Sequence, residues 1–294
     1  MIKKGVYAAG LSVLNKDYSL NIEATILNAE NIIKKGAHGV FFFGSTGQSQ
    51  LISFQEKKEL ISKISTNKQR KNFFLGTGSN SLKDNIDLIK YAMEYEFKTF
   101  LLMPPAYYKG NKDIGIINFY KEIIVQLPKI KIILYNFEKL SGYKFSVDIV
   151  KSLVQKFPEN IVGCKDSSYN LYENLKLPNF LMFPGSEAKL LKGLQLGCSG
   201  CISATTNVTH EIARKVFDEF EANAKQTRNE KLIADRETFD KFNLISALHS
   251  FMGSYDSSYK NLLPPLVLLG EEEKKKLLTE LQELKFISKK EIAA

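Results

Sequence analysis

Asn160-Ile-Val-Gly-Cys-Lys-Asp166 is a short apolar run that drives into a lysine and stops at an aspartate. Read as a strand, it sets the Lys165 amine at the rim of a sheet, where a lysine in its neutral form is a nucleophile able to make a Schiff base. A single lysine among 41 Lys and Arg is ordinarily a solvated surface charge, so the weight falls on what recurs around it. Runs of the same kind occupy Gly5 to Val13, Gly39 to Gly44, Asn72 to Gly78, Thr99 to Pro105, Lys131 to Phe137, Leu181 to Glu187 and Cys198 to Thr205. They are near-continuously apolar rather than alternating, as strands of a parallel sheet buried on both faces should be.

Between the runs lie segments with helical spacing, such as Ile22, Ile26, Ala29, Ile32 and Ile33, or Ile86, Ile89, Tyr91 and Met93. Ser53 with Glu56 predicts a capping box, and Ser146 and Ser186 are expected N-caps. Strand-then-helix units repeated in this way, with no long linker, predict an α/β fold of the (β/α)8 TIM-barrel type over residues 1–207. Beyond Asn207 the pattern is helical only, from His210 through Ala222, Lys231 to Phe251 and Glu271 to Lys285, with the turn Leu263-Pro-Pro-Leu266 before the last. Residues 208–294 are therefore expected as C-terminal helices packed on the barrel. A doubly wound sheet is the competing fold, but Gly76-Thr-Gly78-Ser-Asn80 lacks the third glycine of a dinucleotide fingerprint and no phosphate-binding loop motif occurs.

Length and composition agree with a soluble enzyme-sized fold: 294 residues, 44% hydrophobic and 25% charged. The formal charge of +9 is spread along the chain and interleaved with acids, as in Glu56-Lys-Lys-Glu59 and Glu271-Glu-Glu-Lys-Lys-Lys276. That is the pattern of solvated helix faces rather than of a nucleic-acid surface, and a mild positive field suits an anionic substrate. Cys164, Cys198 and Cys201 are an odd number of cysteines and argue for a reducing compartment, so a cytoplasmic location is expected. Cys198 and Cys201 fall in one expected strand, where positions three apart face opposite ways, and His38, His210 and His249 are scattered. No metal site or cofactor is expected. The N-terminal stretch from Lys3 to Leu14 reads as a first strand rather than a signal peptide, and no run reaches the roughly 18 apolar residues of a membrane span.

In a barrel of this type the chemistry gathers at the strands' C-terminal ends. Strand 2 ends in Phe43-Gly-Ser-Thr-Gly-Gln48, strand 4 in Pro104-Pro-Ala-Tyr-Tyr108, strand 5 in Leu134-Tyr-Asn136, strand 6 at Lys165 and strand 7 in Gly185-Ser-Glu187. The Gly44-Ser-Thr-Gly47 turn can present backbone N–H groups and two hydroxyls to a small carboxylate. Tyr135 offers a phenol able to move a proton near the amine.

With these motifs in this order, the sequence resembles the pyruvate-dependent class I aldolases that include dihydrodipicolinate synthase, N-acetylneuraminate lyase and 2-keto-3-deoxygluconate aldolase. The resemblance runs through G-S-T-G at 44–47, Tyr107 and Tyr108 after Pro104-Pro105, Tyr135-Asn136 with Ser141-Gly142 following, and G-x-K-D at 163–166. It continues to Gly185-Ser-Glu187 and the stretch Gly200 to Asn207. It implies that Lys165 forms the imine with a 2-keto acid, that Tyr135 shuttles the proton, and that Ser45 links Tyr135 to a Tyr107 from a neighbouring subunit of a dimer or tetramer. Thr46, with the turn between Gly44 and Gly47, would hold the pyruvate carboxylate, and Glu187, Ser203 and Ala204 would stand at the substrate.

Departures from the family bear on the substrate. The synthase branch usually carries Pro and Arg inside the strand 5 motif, where this chain has Glu138 and Leu140. The neuraminate lyase branch places an Asp-Glu pair after strand 7 and a Ser in strand 8, where this chain has Glu187-Ala188 and Ala204. Gln48 stands where Glu is usual and Ala106 where an aromatic is common. The resemblance therefore points to cleavage of a shorter 2-keto-3-deoxy sugar acid to pyruvate and an aldehyde, with the synthase and the neuraminate lyase as alternatives. Outside this class stand a barrel that binds a keto acid without turning it over and a nucleic-acid binder using the +9 charge.

Overall fold

Val, Ile, Leu and Phe crowd the expected runs, and in the computed structural model, which describes residues 2–287, each run contains a parallel strand. The strands are β1 (Gly5–Ala9), β2 (Gly39–Phe42), β3 (Phe73–Gly76), β4 (Thr99–Leu102), β5 (Lys131–Asn136), β6 (Ile161–Asp166), β7 (Leu181–Pro184) and β8 (Gly200–Ser203). They are ordered β7-β6-β5-β4-β3-β2-β1-β8. The two outer strands of that order are drawn together by the Ser199 N–H, which donates to the Met182 carbonyl at 2.7 Å. The sheet thus curls into a nearly closed (β/α)8 barrel. Where β1 meets β8 the backbones run so close that a Cβ on Gly200 (φ 130°) would fall 1.8 Å from the Gly5 carbonyl oxygen.

Helices α1 (Ile22–Lys34), α2 (Phe54–Ser65), α3 (Leu82–Glu94), α4 (Asp113–Gln126), the short α5 (Glu138–Ser141), α6 (Val147–Lys156) and α7 (Leu190–Gln195) fill the connections. Their starts are fixed locally. Ser53 and Glu56 form the expected capping box, and Asn21, Ser81 and Ser146 each accept a backbone N–H of the first turn. Ser186 caps a single 3-10 turn, Glu187–Lys189. The connection from β6 to β7 departs from the expected unit: it makes one turn at Leu171–Leu175 and no regular helix, because Pro178 follows at once.

Alternation along the strands builds two apolar layers. Tyr7, Phe41, Phe74, Leu101, Ile133, Tyr135, Phe183 and Ile202 point into the barrel. There the Tyr7 ring meets Phe41, Phe74 and Phe183 edge-on at 5.9, 5.6 and 5.7 Å. Val40, Phe42, Leu75, Phe100, Leu102, Leu134 and Cys164 point outward under the helices. Each such side chain contributes about 1.5–3 kcal/mol when fully buried.

After β8 the chain continues into α8 (Thr206–Glu221), α9 (Asn229–Asp240), α10 (Leu244–Met252) and α11 (Glu271–Glu283). The boundary drawn at residue 207 falls inside α8, which packs against β1 and α1 as the outer-ring helix that follows β8. The single helix expected over Lys231 to Phe251 is two, because Asn243 leaves the helical path (φ −59°, ψ 115°) and caps α10 by accepting the Ser246 N–H. Phe239, Leu248, Phe251, Leu277 and Leu281 share an apolar cluster with Leu11 and Val13, so these helices and the chain leaving β1 have one core. Residues 288–294 of the expected C-terminal segment lie outside the described residues.

Candidate active site

Strand register brings the expected groups together. Tyr135 on β5 lies opposite Lys165 on β6, and Asn136 opposite Asp166. Both Tyr135 and Lys165 are buried in the barrel mouth, at 4% and 3% exposure. The Lys165 Nζ sits 4.2 Å from the centre of the Tyr135 ring. The Tyr135 hydroxyl in turn lies 2.9 Å from Ser45 Oγ. An amine and a phenol from β6 and β5 and a hydroxyl from the turn after β2 thus form one cluster.

Asp166 explains why a carboxylate follows the lysine. It is fully buried on the outer side of the strand, where its two oxygens accept the Asn136 side-chain N–H and the backbone N–H groups of Tyr169, Leu171 and Tyr172 at 2.8–2.9 Å. It ties the end of β6 to the end of β5 and to the turn beyond, and so fixes the backbone that carries Lys165. Another buried lysine, Lys57, is committed elsewhere: it donates to the carbonyls of Thr77 and Gly78, both at 2.9 Å, and burial pulls its pKa down to about 8.

The Ser45–Gly47 segment is a 3-10 turn closed by Gly47 N–H to the Gly44 carbonyl and Gln48 N–H to the Ser45 carbonyl. The N–H groups of Ser45 and Thr46 are left out of these bonds, which is how a turn presents donors to an anion. Left-handed non-glycine residues bracket it, Phe43 at φ 60° and Gln48 at φ 55°. Such backbone costs on the order of 1–3 kcal/mol per residue and persists only where the surroundings over-determine it. Gly47 is required by contact: a Cβ there would lie 2.8 Å from the Gly10 carbonyl oxygen.

Other expected site residues lie elsewhere. Tyr107 is 78% exposed, its ring edge-on to the equally exposed Tyr108, on the loop after β4. Glu187 and Ser203 are withdrawn from the mouth, contrary to the expectation that they stand at the substrate. Ser203 has the same outward parity as Cys201, whose side chain packs among the outer helices. The Glu187 carboxylate is fully buried; one oxygen accepts from Thr205 and Thr209, the other from Ser203 and from Arg236 at 3.1 Å. Burial alone would push its carboxyl up, but Arg236 and the three hydroxyls outweigh it and hold the pKa below the usual range. Its acceptor sites are thereby occupied. Ala204 joins the apolar cluster of the C-terminal helices.

Arg236 went unread in the sequence. Its Nη1 also donates to Ser203 at 2.8 Å and Thr205 at 3.1 Å, and its Nε to Asp240 at 2.8 Å. The Arg236 and Asp240 spacing of four residues is the ordinary mark of a surface ion pair, which hides an arginine that is 5% exposed. Among the described residues no group of three or more His, Cys, Asp or Glu is arranged to hold a metal ion, and no helix is long and apolar enough to cross a membrane.

The profile of the Dihydrodipicolinate synthetase family matches residues 3–284. The chain is 28% identical, over 83% of its length and 95% of the relative's, to the 2-dehydro-3-deoxy-D-gluconate/2-dehydro-3-deoxy-phosphogluconate aldolase of Picrophilus torridus. It is 31% identical, over 73% of its length and 75% of the relative's, to the N-acetylneuraminate lyase of Fusobacterium nucleatum. Among solved structures it superposes on a prophage protein of the dihydrodipicolinic acid synthase family from E. coli K12, in complex with pyruvate. The TM-score is 0.87 and the identity 22%, over 98% of this chain and 100% of that one.

Proposed function

The chain belongs to the dihydrodipicolinate synthetase family of class I, Schiff-base carbon–carbon lyases and aldolases, and we propose that it cleaves a 2-keto-3-deoxy sugar acid to pyruvate and an aldehyde through an imine on Lys165. The observation that carries this reading is the cluster in which the Lys165 Nζ lies 4.2 Å from the Tyr135 ring and the Tyr135 hydroxyl 2.9 Å from Ser45, beside the turn that offers two free N–H groups.

The carboxylate of the keto acid docks on the Ser45 and Thr46 N–H groups and the Thr46 hydroxyl. The Lys165 amine adds to C2 and water leaves, giving a protonated imine. Tyr135, as the base, takes the proton of the C4 hydroxyl; the C3–C4 bond breaks, C4 becomes the aldehyde carbonyl, and the electron pair passes through C3 to neutralise the imine nitrogen as an enamine. The aldehyde departs, C3 is reprotonated, and water hydrolyses the imine to pyruvate and free Lys165. Tyr107 of a neighbouring subunit extends the hydroxyl chain at Ser45 in a homo-oligomer, a reading that its exposure on its own chain supports. The three buried unpaired thiols support a cytoplasmic setting.

The substrate preference rests on what the mouth lacks. Leu140 presents no cation to the second carboxylate that a synthase must hold, and Glu187 has no oxygen left for the hydroxyl tail of a nine-carbon sugar acid. A long polyol would be desolvated without partners. The resemblance to the Picrophilus torridus aldolase supports the shorter substrate.

Incubation with pyruvate and borohydride, followed by peptide mass analysis, tests the imine: an adduct confined to Lys165, and absent in Lys165→Ala, is expected. Assay on 2-keto-3-deoxygluconate, N-acetylneuraminate, and pyruvate with aspartate semialdehyde tests the substrate. Absence of any adduct on folded protein removes the catalytic reading, and preferred turnover of either of the last two substrates replaces the aldolase by the lyase or the synthase.

A further inference from the structure

The turn that offers its N–H groups to the carboxylate is gripped from both sides. From the chain leaving β1, Ser12 Oγ donates to the Gly47 carbonyl at 2.7 Å. From the C-terminal helices, the grip falls on Gln48, which closes the turn in its left-handed conformation and is only 3% exposed. Its amide oxygen accepts the Leu263 N–H at 2.8 Å, and its amide nitrogen makes a long contact, 3.5 Å, with Nε2 of His249 on α10.

The direction of these bonds is determined. His249 is fully buried, and its Nδ1 lies 2.9 Å from the Tyr259 carbonyl oxygen. A carbonyl only accepts, so Nδ1 carries the ring proton and Nε2 is a bare acceptor. Burial also keeps the ring neutral, with its pKa lowered to about 4. The Gln48 amide nitrogen must therefore be the donor to His249, which leaves its oxygen for Leu263. A carboxylate at position 48 would set acceptor against acceptor, and the amide found there satisfies both neighbours. The segment that carries these partners is itself pinned: the Tyr259 hydroxyl donates to Asn28 at 2.9 Å and the Asn261 side chain to the Leu14 carbonyl at 3.0 Å.

We propose that His249 and Gln48 are positioning residues for the keto-acid carboxylate: through the Gln48 side chain the C-terminal helices aim the Ser45 and Thr46 N–H groups, and so set the affinity for the keto acid without touching it. This rests on the reading of the Ser45–Gly47 turn as the carboxylate site.

Two replacements at one position separate the two bonds of the ring. Asparagine reaches about as far as Nδ1, so His249→Asn keeps the Tyr259 bond and loses Gln48. Glutamine reaches about as far as Nε2, so His249→Gln keeps an acceptor for Gln48. Gln48→Met removes the same bond from the other side. With active sites counted by pyruvate–borohydride trapping at saturating pyruvate, H249N and Q48M are expected to raise KM for the keto acid about tenfold with kcat within about twofold, the scale of one lost hydrogen bond. H249Q is expected close to wild type.

An unchanged KM in folded H249N or Q48M overturns the proposal, as does an H249Q as impaired as H249N, or a loss that disappears on correction for the trapped fraction. If H249N does not fold, Q48M alone decides. A wild type that traps no pyruvate removes the functional reading and this inference together; a wild type that traps it beside unaffected variants removes this inference alone.

Discussion

Ser45 and Tyr135, 90 residues apart in the chain, meet hydroxyl to hydroxyl at 2.9 Å over the mouth of the barrel. Neither strand could place its group there alone, since β2 and β5 are separated by two strands of the sheet. The contact gives the phenol a hydrogen-bond partner beside the Ser45–Gly47 turn, and in the proposed mechanism a route for its proton.

Tyr135→Phe is expected to lower kcat about 10²–10³-fold, the usual scale for loss of a general acid–base group, while pyruvate is still trapped on Lys165 by borohydride. Ser45→Ala, which removes the partner and keeps the phenol, should cost about tenfold. A Y135F variant with more than a tenth of the wild-type kcat would mean that the proton travels by another path.

Arg236→Met leaves the fully buried Glu187 carboxylate facing three hydroxyls and no cation. Removing one partner of a buried pair costs about 3–5 kcal/mol, so urea unfolding at neutral pH should show a loss of that order. The double variant Glu187→Gln with Arg236→Met should recover part of it, because the unpaired charge is gone. A loss below about 1 kcal/mol in the single variant would indicate that water reaches the carboxylate.

His38, His210 and His249 all have pKa values lowered, in each case chiefly by burial. Their folded values lie below the unfolded ones, so under acid conditions the unfolded chain takes up protons that the native state excludes. The associated stability is fully present above about pH 6.5 and is lost as the pH falls toward about 4. His249, lowered from 6.5 to about 4, accounts for roughly 3 kcal/mol of that loss. Denaturant titrations at pH 7 and pH 4.5 should show it, and His249→Gln should flatten the difference.

Burial pushes the Cys164 and Cys201 thiols well up and the Cys198 thiol to about 11. All three are buried and unpaired. The native protein should therefore resist alkylation at pH 8 and yield three reactive thiols only on unfolding, as a thiol count with and without denaturant will report. A thiol that reacts in the native state would place a solvent path where these helices are packed.

The parts of the site that could be read from the sequence are those where an apolar run stops on a polar group. Lys165, Tyr135 and the turn from Gly44 to Gly47 each end a strand, and in a parallel barrel every such end opens on one mouth. Orientation at β8 could not be read, because Gly200 to Thr205 is small or apolar on both sides and shows no alternation to reveal that Cys201 and Ser203 face outward. Glu187 was expected at the substrate from the resemblance and from its place just after a strand. Its partners come from positions 203, 205, 209 and 236, and only folding brings them to it. The break between α9 and α10 lacks Gly or Pro, so Asn243 alone marked it, and asparagine is as common outside caps. Gln48 stood out as an unusual residue, but its reason lies with His249 and Leu263, some two hundred residues away.

The aromatic packing around Tyr7 has a kinetic consequence. The Tyr7 hydroxyl reaches back to the Lys3 carbonyl at the strands' N-terminal end, and the rings of Phe41, Phe74 and Phe183 press against it from three sides. Among the described residues these rings fill the N-terminal end of the barrel interior, and the Lys165 amine lies toward the mouth at the strands' C-terminal ends. In the proposed cleavage the aldehyde, which carries no covalent tether, leaves by that mouth while pyruvate is still held on Lys165. On that proposal the expected order of release is aldehyde first and pyruvate last, and product inhibition by pyruvate, competitive with the substrate, checks it.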